Sequence, residues 1–229
     1  MSPLQDRLAE RDREMEVYLR FLALLDENPT LKVSRRRRSV DERVIKILKA
    51  NTFLLIYNFV EASIRDAFRV LYSAMSTDGC RVRSVSERLR HLWVDAAVHR
   101  VMPQSANQDT YRAVTRQLVA DAVRNVSTAF NVEQLRFGGN LDAAQIRKTC
   151  CDHGVSVRTH RNARGGEKLV LVKSRRNDLA HGNLSFSECG RDYTVAQLVE
   201  IRRETVLFVR GVLQSVERYV SRRGFRSAP

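Results

Sequence analysis

The stretch from Val44 to Tyr72 limits the fold more than any other part of the chain. Its apolar positions are Val44, Ile47, Leu48, Phe53, Leu54, Leu55, Ile56, Phe59, Val60, Ile64, Phe68, Leu71 and Tyr72. The spacing is helical, and in the middle the apolar side chains point nearly all round the axis. A helix of that kind has no face to give to water, so it predicts the central, most buried helix of a multi-helix fold. Ser39 and Asp41 offer caps at its start. Asn51, Asn58 and Glu61 interrupt the apolar surface. A buried carboxylate costs several kcal/mol without a partner, which marks Glu61; a salt bridge to a nearby Arg is its simplest role.

Only 10 Gly and 4 Pro occur in 229 residues, and so few breakers favour helices elsewhere too. Leu4, Leu8, Met15, Tyr18, Leu19, Leu22 and Leu25 predict a helix over 4–27, ended by Asn28-Pro29. Further helices are predicted over 41–75, 84–102 around Trp93 and stopped by Pro103, 108–130, and 142–153. Gly138-Gly139 makes a break, Asp142 caps the 142–153 helix, and Gly154 supplies its left-handed end. A short helix from about Lys173 to His181 ends at Gly182, and Thr194 caps a long amphipathic helix over 194–222. Val155-Ser156-Val157 and Leu169-Val170-Leu171-Val172 flank a polar, Gly-containing tip and predict a hairpin near 155–172. Arg35 to Arg38 reads as a solvated linker, with RNA contact as the alternative. The expectation is a mostly α chain, a helical bundle with a small inserted β-hairpin. It forms a single domain over 1–229, with an N-terminal helix and basic linker at 1–39 and the main body at 40–223.

The net charge is +14, which attracts polyanions, with nucleic acid the first candidate. Lysine occurs only at 32, 46, 49, 148, 168 and 173; the other basic residues are arginine. A guanidinium grips phosphate in a two-pronged fork, which suits RNA; a GC-rich genome encoding Arg in place of Lys explains the bias equally well. Cys80, Cys150, Cys151 and Cys189 include no C-x-x-C pair, so neither a zinc framework nor a disulfide scaffold is expected. Cys150 and His153 have metal-like spacing but no second pair. MSPLQDRLAE lacks the apolar core of a secretory signal, and the longest apolar stretch, Phe53 to Val60, is too short to span a bilayer. A cytoplasmic protein with free thiols, no membrane association, no cofactor and no metal is expected. No G-x-x-x-x-G-K-[ST], G-x-S-x-G or H-E-x-x-H motif is present.

The segment Ser174-Arg175-Arg176-Asn177-Asp178-Leu179-Ala180-His181-Gly182 carries the candidate chemistry. Arg followed by His five positions later says little as bare spacing in so basic a chain. Its context says more: Arg-Asn, a short apolar pair, then His-Gly. This resembles the R-x4-6-H motif of HEPN ribonucleases. Tyr57-Asn58-Phe59-Val60-Glu61, Gly139-Asn140-Leu141-Asp142 and Ser185-Phe186 add to the resemblance, which covers roughly residues 40–223. They look like a bacterial HEPN branch associated with restriction, phage-defence and toxin–antitoxin loci.

The resemblance implies a HEPN-like helical bundle and a metal-independent endoribonuclease, a toxin or phage-defence effector acting on RNA. The RNA 2′-OH is the nucleophile. An imidazole, with an ordinary pKa near 6.5, takes its proton, and an Arg fork stabilises the charge growing on the phosphorane. The products are a 2′,3′-cyclic phosphate and a 5′-OH, and DNA resists. His181 is the expected proton acceptor and Arg176 the phosphorane stabiliser. Asn177 places Arg176 or the phosphate, Glu61 and Asp178 support the pair, and Arg175 and Lys173 contact RNA. Residues five apart on a helix point about 140° away from each other. A loosened last turn before Gly182 is one way to bring His181 round; a homodimer joining two motifs is the other. An antitoxin or defence-system protein is a further possible partner. The competing view is that Arg176 pairs with Asp178 or Glu61 and His181 merely caps a helix, leaving a non-catalytic module for dimerisation or partner binding. A DNA-binding accessory subunit rests on charge alone.

Overall fold

The Ser2 side chain accepts a hydrogen bond from the Gln5 amide, and Pro3 takes the first helical position, where its missing N–H costs nothing. That junction starts α1 (Pro3–Glu27). The computed structural model describes residues 2–33, 36–101, 108–135 and 140–227. Pro103, the Gly138-Gly139 break and Arg35 lie outside the described residues.

After α1 come β1 (Thr30–Val33), β2 (Arg36–Ser39), α2 (Glu42–Thr77), α3 (Glu87–Val101), α4 (Gln108–Val123), α5 (Ala143–Asp152), α6 (Lys168–Ala180), α7 (Phe186–Arg191) and α8 (Val195–Ser221). The chain is mostly α, as its periodicity requires. α4 ends well before 130, because Asn125 adopts a left-handed backbone (φ 52°). α7 carries a capping box, Ser185 with Glu188, that the sequence reading passed over.

The hairpin is elsewhere than expected. Among the described residues, 155–172 contain no strand; the strands are β1 and β2, antiparallel with Thr30 opposite Ser39 and Val33 opposite Arg36. So the backbone of Arg36 to Arg38 lies in a strand rather than a linker. The Leu169-Val170-Leu171-Val172 run is the first turn of α6. Leu169 and Val172, three apart, are buried while Val170 is 55% exposed. That is helical spacing, whereas a strand would bury alternate residues. The turn before it holds Arg164, Gly165 and Gly166 in left-handed conformations. At Gly166 (φ +84°) a Cβ would strike the Phe208 ring at 2.7 Å, so only glycine fits there.

The chain divides into two compact units, and three of the five divisions fall within α2, α5 and α8. The first comprises Met1–Ile64, Phe137–Ile146 and Arg158–Leu213. Its core holds Leu8, Leu19 and Leu22 of α1, Phe53, Ile56, Tyr57 and Val60 of α2, and Leu198, Phe208 and Leu213 of α8. Arg202 of α8 ties α1 down through Asp12 and Glu16.

The second unit comprises Arg65–Arg136, Arg147–Val157 and Gln214–Pro229. Asp78 there receives Arg226 and Arg223, and the hydrogen bond from Arg226 first of all holds its carboxyl below the usual carboxylate range. His153 sits among Phe68 and Tyr72, and Tyr72 stacks on Phe130. Its Nδ1 is 2.7 Å from the Thr149 carbonyl, which can only accept, so Nδ1 carries the proton. Nε2 therefore accepts from the Tyr72 hydroxyl at 2.7 Å. Both ring nitrogens are used, which leaves none for a metal with Cys150. Burial lowers the His153 pKa more than the Thr149 carbonyl and Asp152 raise it.

The neutral ring is thus worth stability that is complete above the unfolded value of about 6.5 and is lost as pH falls below it. The melting temperature should fall between pH 7 and pH 5. Tyr72→Phe/His153→Phe, which removes the titration and both polar groups, should flatten that slope in a scan of melting temperature against pH.

Candidate functional site

α6 positions the candidate pair, and its own periodicity decides where each member points. Leu169, Val172, Arg176 and Leu179 are spaced three, four and three apart, so they share one face; the three apolar members are buried. Arg176 therefore occupies a core-facing position. Its guanidinium Cζ lies 4.8 Å from the centroid of the Tyr57 ring on α2. Its Nη1 donates to Asn177 Oδ1 at 3.0 Å. Asn177 Nδ2 donates in turn to Asn140 Oδ1 at 3.3 Å. The remaining N–H groups of Arg176 have no partner among the described residues, and the side chain is half-buried.

His181 is the C-cap of α6 and is exposed. The last turn is not loosened. Asn183 N donates to Asp178 O (2.9 Å) and Gly182 N to Leu179 O (3.4 Å), the paired bonds of a Schellman end, with Gly182 at φ +71°. His181 N donates to Asn177 O as in a regular helix, and its own backbone stays helical (φ −95°, ψ 0°). The separation of about 140° from Arg176 therefore persists. The imidazole makes no hydrogen bond with any described residue.

The supporting residues sort themselves differently from expectation. Asp178 pairs with Arg175 at 3.4 Å rather than with Arg176. Arg175 Nε also donates to the Tyr193 hydroxyl at 2.9 Å, and Tyr193 meets Phe53 edge-on. Lys173 pairs with Asp142. Both cations expected to touch RNA are thus engaged within the chain. Asp142 also caps α5, accepting from the Gln145 amide at 2.9 Å. Burial pushes its carboxyl up, but Lys173 and the Gln145 and Ala144 amides outweigh that and leave it below the usual range. Glu61 is half-buried rather than buried; Tyr57, one turn before it on α2, meets the guanidinium.

A family profile described as HEPN_MAE_28990-like HEPN matches residues 1–225. The chain belongs to this HEPN family. Comparison with curated proteins and with solved structures gives no significant match. The HEPN profile begins at residue 1, so α1 belongs to the family region, which the sequence resemblance began only at about residue 40. The Arg202–Asp12 tie between α8 and α1 is the structural counterpart.

Three residues of this HEPN protein escaped the list of site candidates: Tyr57, Asn140 and Asp142. All three sit in segments that carried the family resemblance. A signal for Tyr57 existed, since Arg176 falls in register with Leu169, Val172 and Leu179 and so must lie against a core residue. Cys80, Cys150 and Cys189 are buried, and burial pushes the Cys150 thiol up to about 12. Among the described residues no cluster of His, Cys, Asp and Glu is placed to hold a metal, and no helix is long and apolar enough to cross a membrane. A cleft of about 270 Å³ in the second unit, lined by Arg88, His91, Asp95 and Lys148 among others, includes neither Arg176 nor His181.

Asp142→Ala removes a helix cap and a counter-ion together and should lower the unfolding free energy by about 1–2 kcal/mol in urea at pH 7. Asp142→Asn keeps the cap and should cost less. The depressed carboxyl contributes stability above the unfolded value of about 3.9, lost as pH falls through the folded one. The gap between wild type and Asp142→Ala should therefore close in acid.

Proposed function

We propose that this HEPN protein is a metal-independent RNA endonuclease, active as a homodimer, that uses the RNA 2′-OH as its nucleophile. The observation that supports this best is the state of Arg176. Its half-buried guanidinium is held by a ring and an amide, and its other N–H donors have no partner among the described residues. A donor fixed before the substrate arrives is what a charge developing in a transition state calls for. HEPN domains are commonly ribonucleases, and the exposed imidazole of His181 suits proton transfer.

In this reading His181 takes the 2′-OH proton and the oxygen attacks the adjacent phosphorus. Arg176 donates to the non-bridging oxygens as their charge grows. The bond to the 5′-oxygen breaks, a proton returns to that oxygen, and a 2′,3′-cyclic phosphate and a 5′-OH remain. Asn177 holds the guanidinium by its Oδ1. Arg175 and Lys173 are paired with Asp178 and Asp142, so a contact with the RNA backbone requires them to share or exchange those carboxylates. Because Arg176 and His181 point about 140° apart on α6, one copy supplies the Arg and its partner the His. The family resemblance suggests a toxin or phage-defence effector, with an antitoxin or other defence protein as its partner.

Labelled RNA incubated with the protein in EDTA should be cut, DNA should not, and RNA with a 2′-deoxy nucleotide at the cut site should survive. His181→Ala and Arg176→Ala should each lower the rate by about 10²–10⁴-fold with unchanged melting. Asn177→Ala should lose less. Cleavage of the deoxy strand at the RNA rate refutes the mechanism, and intact RNA throughout leaves a partner-binding helical module.

Assembly has its own test. Light scattering at micromolar concentration should give a dimer. Mixing His181→Ala with Arg176→Ala should restore activity, because the mixed dimer rebuilds one complete site. If each site lies within one chain, mixing restores nothing.

A further inference from the structure

The Tyr57 ring, on α2, is almost wholly buried, at 1% exposure. Two contacts set it apart from the apolar residues around it. Its hydroxyl accepts a hydrogen bond from the Leu141 amide at 3.3 Å. Its ring face carries the Arg176 guanidinium, with Cζ at 4.8 Å from the centroid. The hydroxyl bond fixes the ring at its far end, and the guanidinium carbon sits over the face so fixed.

The segment that holds the Tyr57 hydroxyl also holds Arg176 from its other side. Asn140, next to Leu141, accepts from Asn177, and Asn177 accepts from Arg176. Asp142, the next residue again, pairs with Lys173 one turn before Asn177 on α6. The guanidinium sits over a ring and donates at one end to an amide, and both supports are anchored to residues 140–142. A planar cation held on a face and an edge has its remaining donors pointed in set directions. A donor on an untethered stem must order itself during each turnover.

We propose that Tyr57 is a positioning residue for Arg176, setting the plane of the guanidinium toward the scissile phosphate; this rests on the ribonuclease reading above. Tyr57 touches no substrate and acts through Arg176. The aromatic face carries the effect, and the hydroxyl serves the ring. Losing the ring therefore weakens transition-state contacts more than ground-state binding, which lowers kcat and leaves KM little changed.

Steady-state cleavage should show kcat reduced about tenfold in Tyr57→Leu, the scale of a partly buried cation–π contact, with KM within about twofold. Tyr57→Phe keeps the ring and should stay within about threefold of wild type. In an Arg176→Lys background, Tyr57→Leu should cause no further loss, because the plane it sets is gone. A readout independent of activity is the rotation of the Arg176 guanidinium about its Cζ–Nε bond, followed by ¹⁵N NMR on the signal that vanishes in Arg176→Lys. Rotation should be slow in wild type and Tyr57→Phe and fast in Tyr57→Leu. Fast rotation in wild type overturns the proposal even if no Tyr57→Leu protein folds, and so does an equal loss of kcat in Tyr57→Leu with and without Arg176→Lys. A wild type that cuts no RNA but rotates slowly refutes the ribonuclease reading while the hold of Tyr57 on Arg176 stands.

Discussion

The first half of α2 is apolar nearly all round, and all but one side of it is covered. Ile45, Phe53, Ile56 and Tyr57 are buried, while Val44, Ile47 and Leu55 form an exposed stripe, so the helix does give one face to water. The covering pieces come from distant parts of the chain. Tyr18 of α1 donates to the Leu48 carbonyl, and Asp26 pairs with Lys49. Tyr193 packs edge-on against Phe53. Leu141 and Arg176 both close on Tyr57. Removing apolar surface from water drives this enclosure without regard to direction. The polar contacts at the rim of α2 decide which segment covers which face.

The candidate site follows from that enclosure. A charged group at a core-facing position of α6 has to be satisfied, and the π face of a buried tyrosine and a side-chain amide do so without neutralising it. A carboxylate in the same place would have neutralised the guanidinium. The Asp178 carboxylate is occupied by Arg175 instead, and that of Asp142 by Lys173. Of the two arginines of α6, Arg175 is paired with a carboxylate, and Arg176, the one the motif singles out, is paired with none among the described residues. His181, past the end of the helical face, has no such burial to satisfy and stays in solvent.

Residues 140–142 have a structural weight out of proportion to their length. They start α5, brace Tyr57 and Asn177, and neutralise Lys173. The candidate site and local stability are coupled here, because the segment that contacts Tyr57 and Asn177 also caps a helix. Such coupling keeps a guanidinium in place without a dedicated carboxylate partner.

Much of this was legible in the residues alone. The 3.6-residue spacing of apolar positions located most of the helices, and Gly182 marked the end of α6 through its left-handed backbone. The Arg176–His181 segment stood out by its neighbours, and the angle between its two members followed from helix geometry. Other features were not legible. Leu169 to Val172 reads as a strand by side-chain preference, and it became helical because the left-handed turn at 164–166 delivers the chain to α6 with Leu169 and Val172 facing inward. The arginines at 36–38 read as linker by charge, and backbone pairing with 30–33 made them a strand. Tyr57 read as one more core residue. Local periodicity determines which side chains share a face of a helix. Which neighbour that face meets was decided by packing between residues far apart in the chain, such as Tyr57, Leu141 and Arg176, and no local pattern encodes that choice.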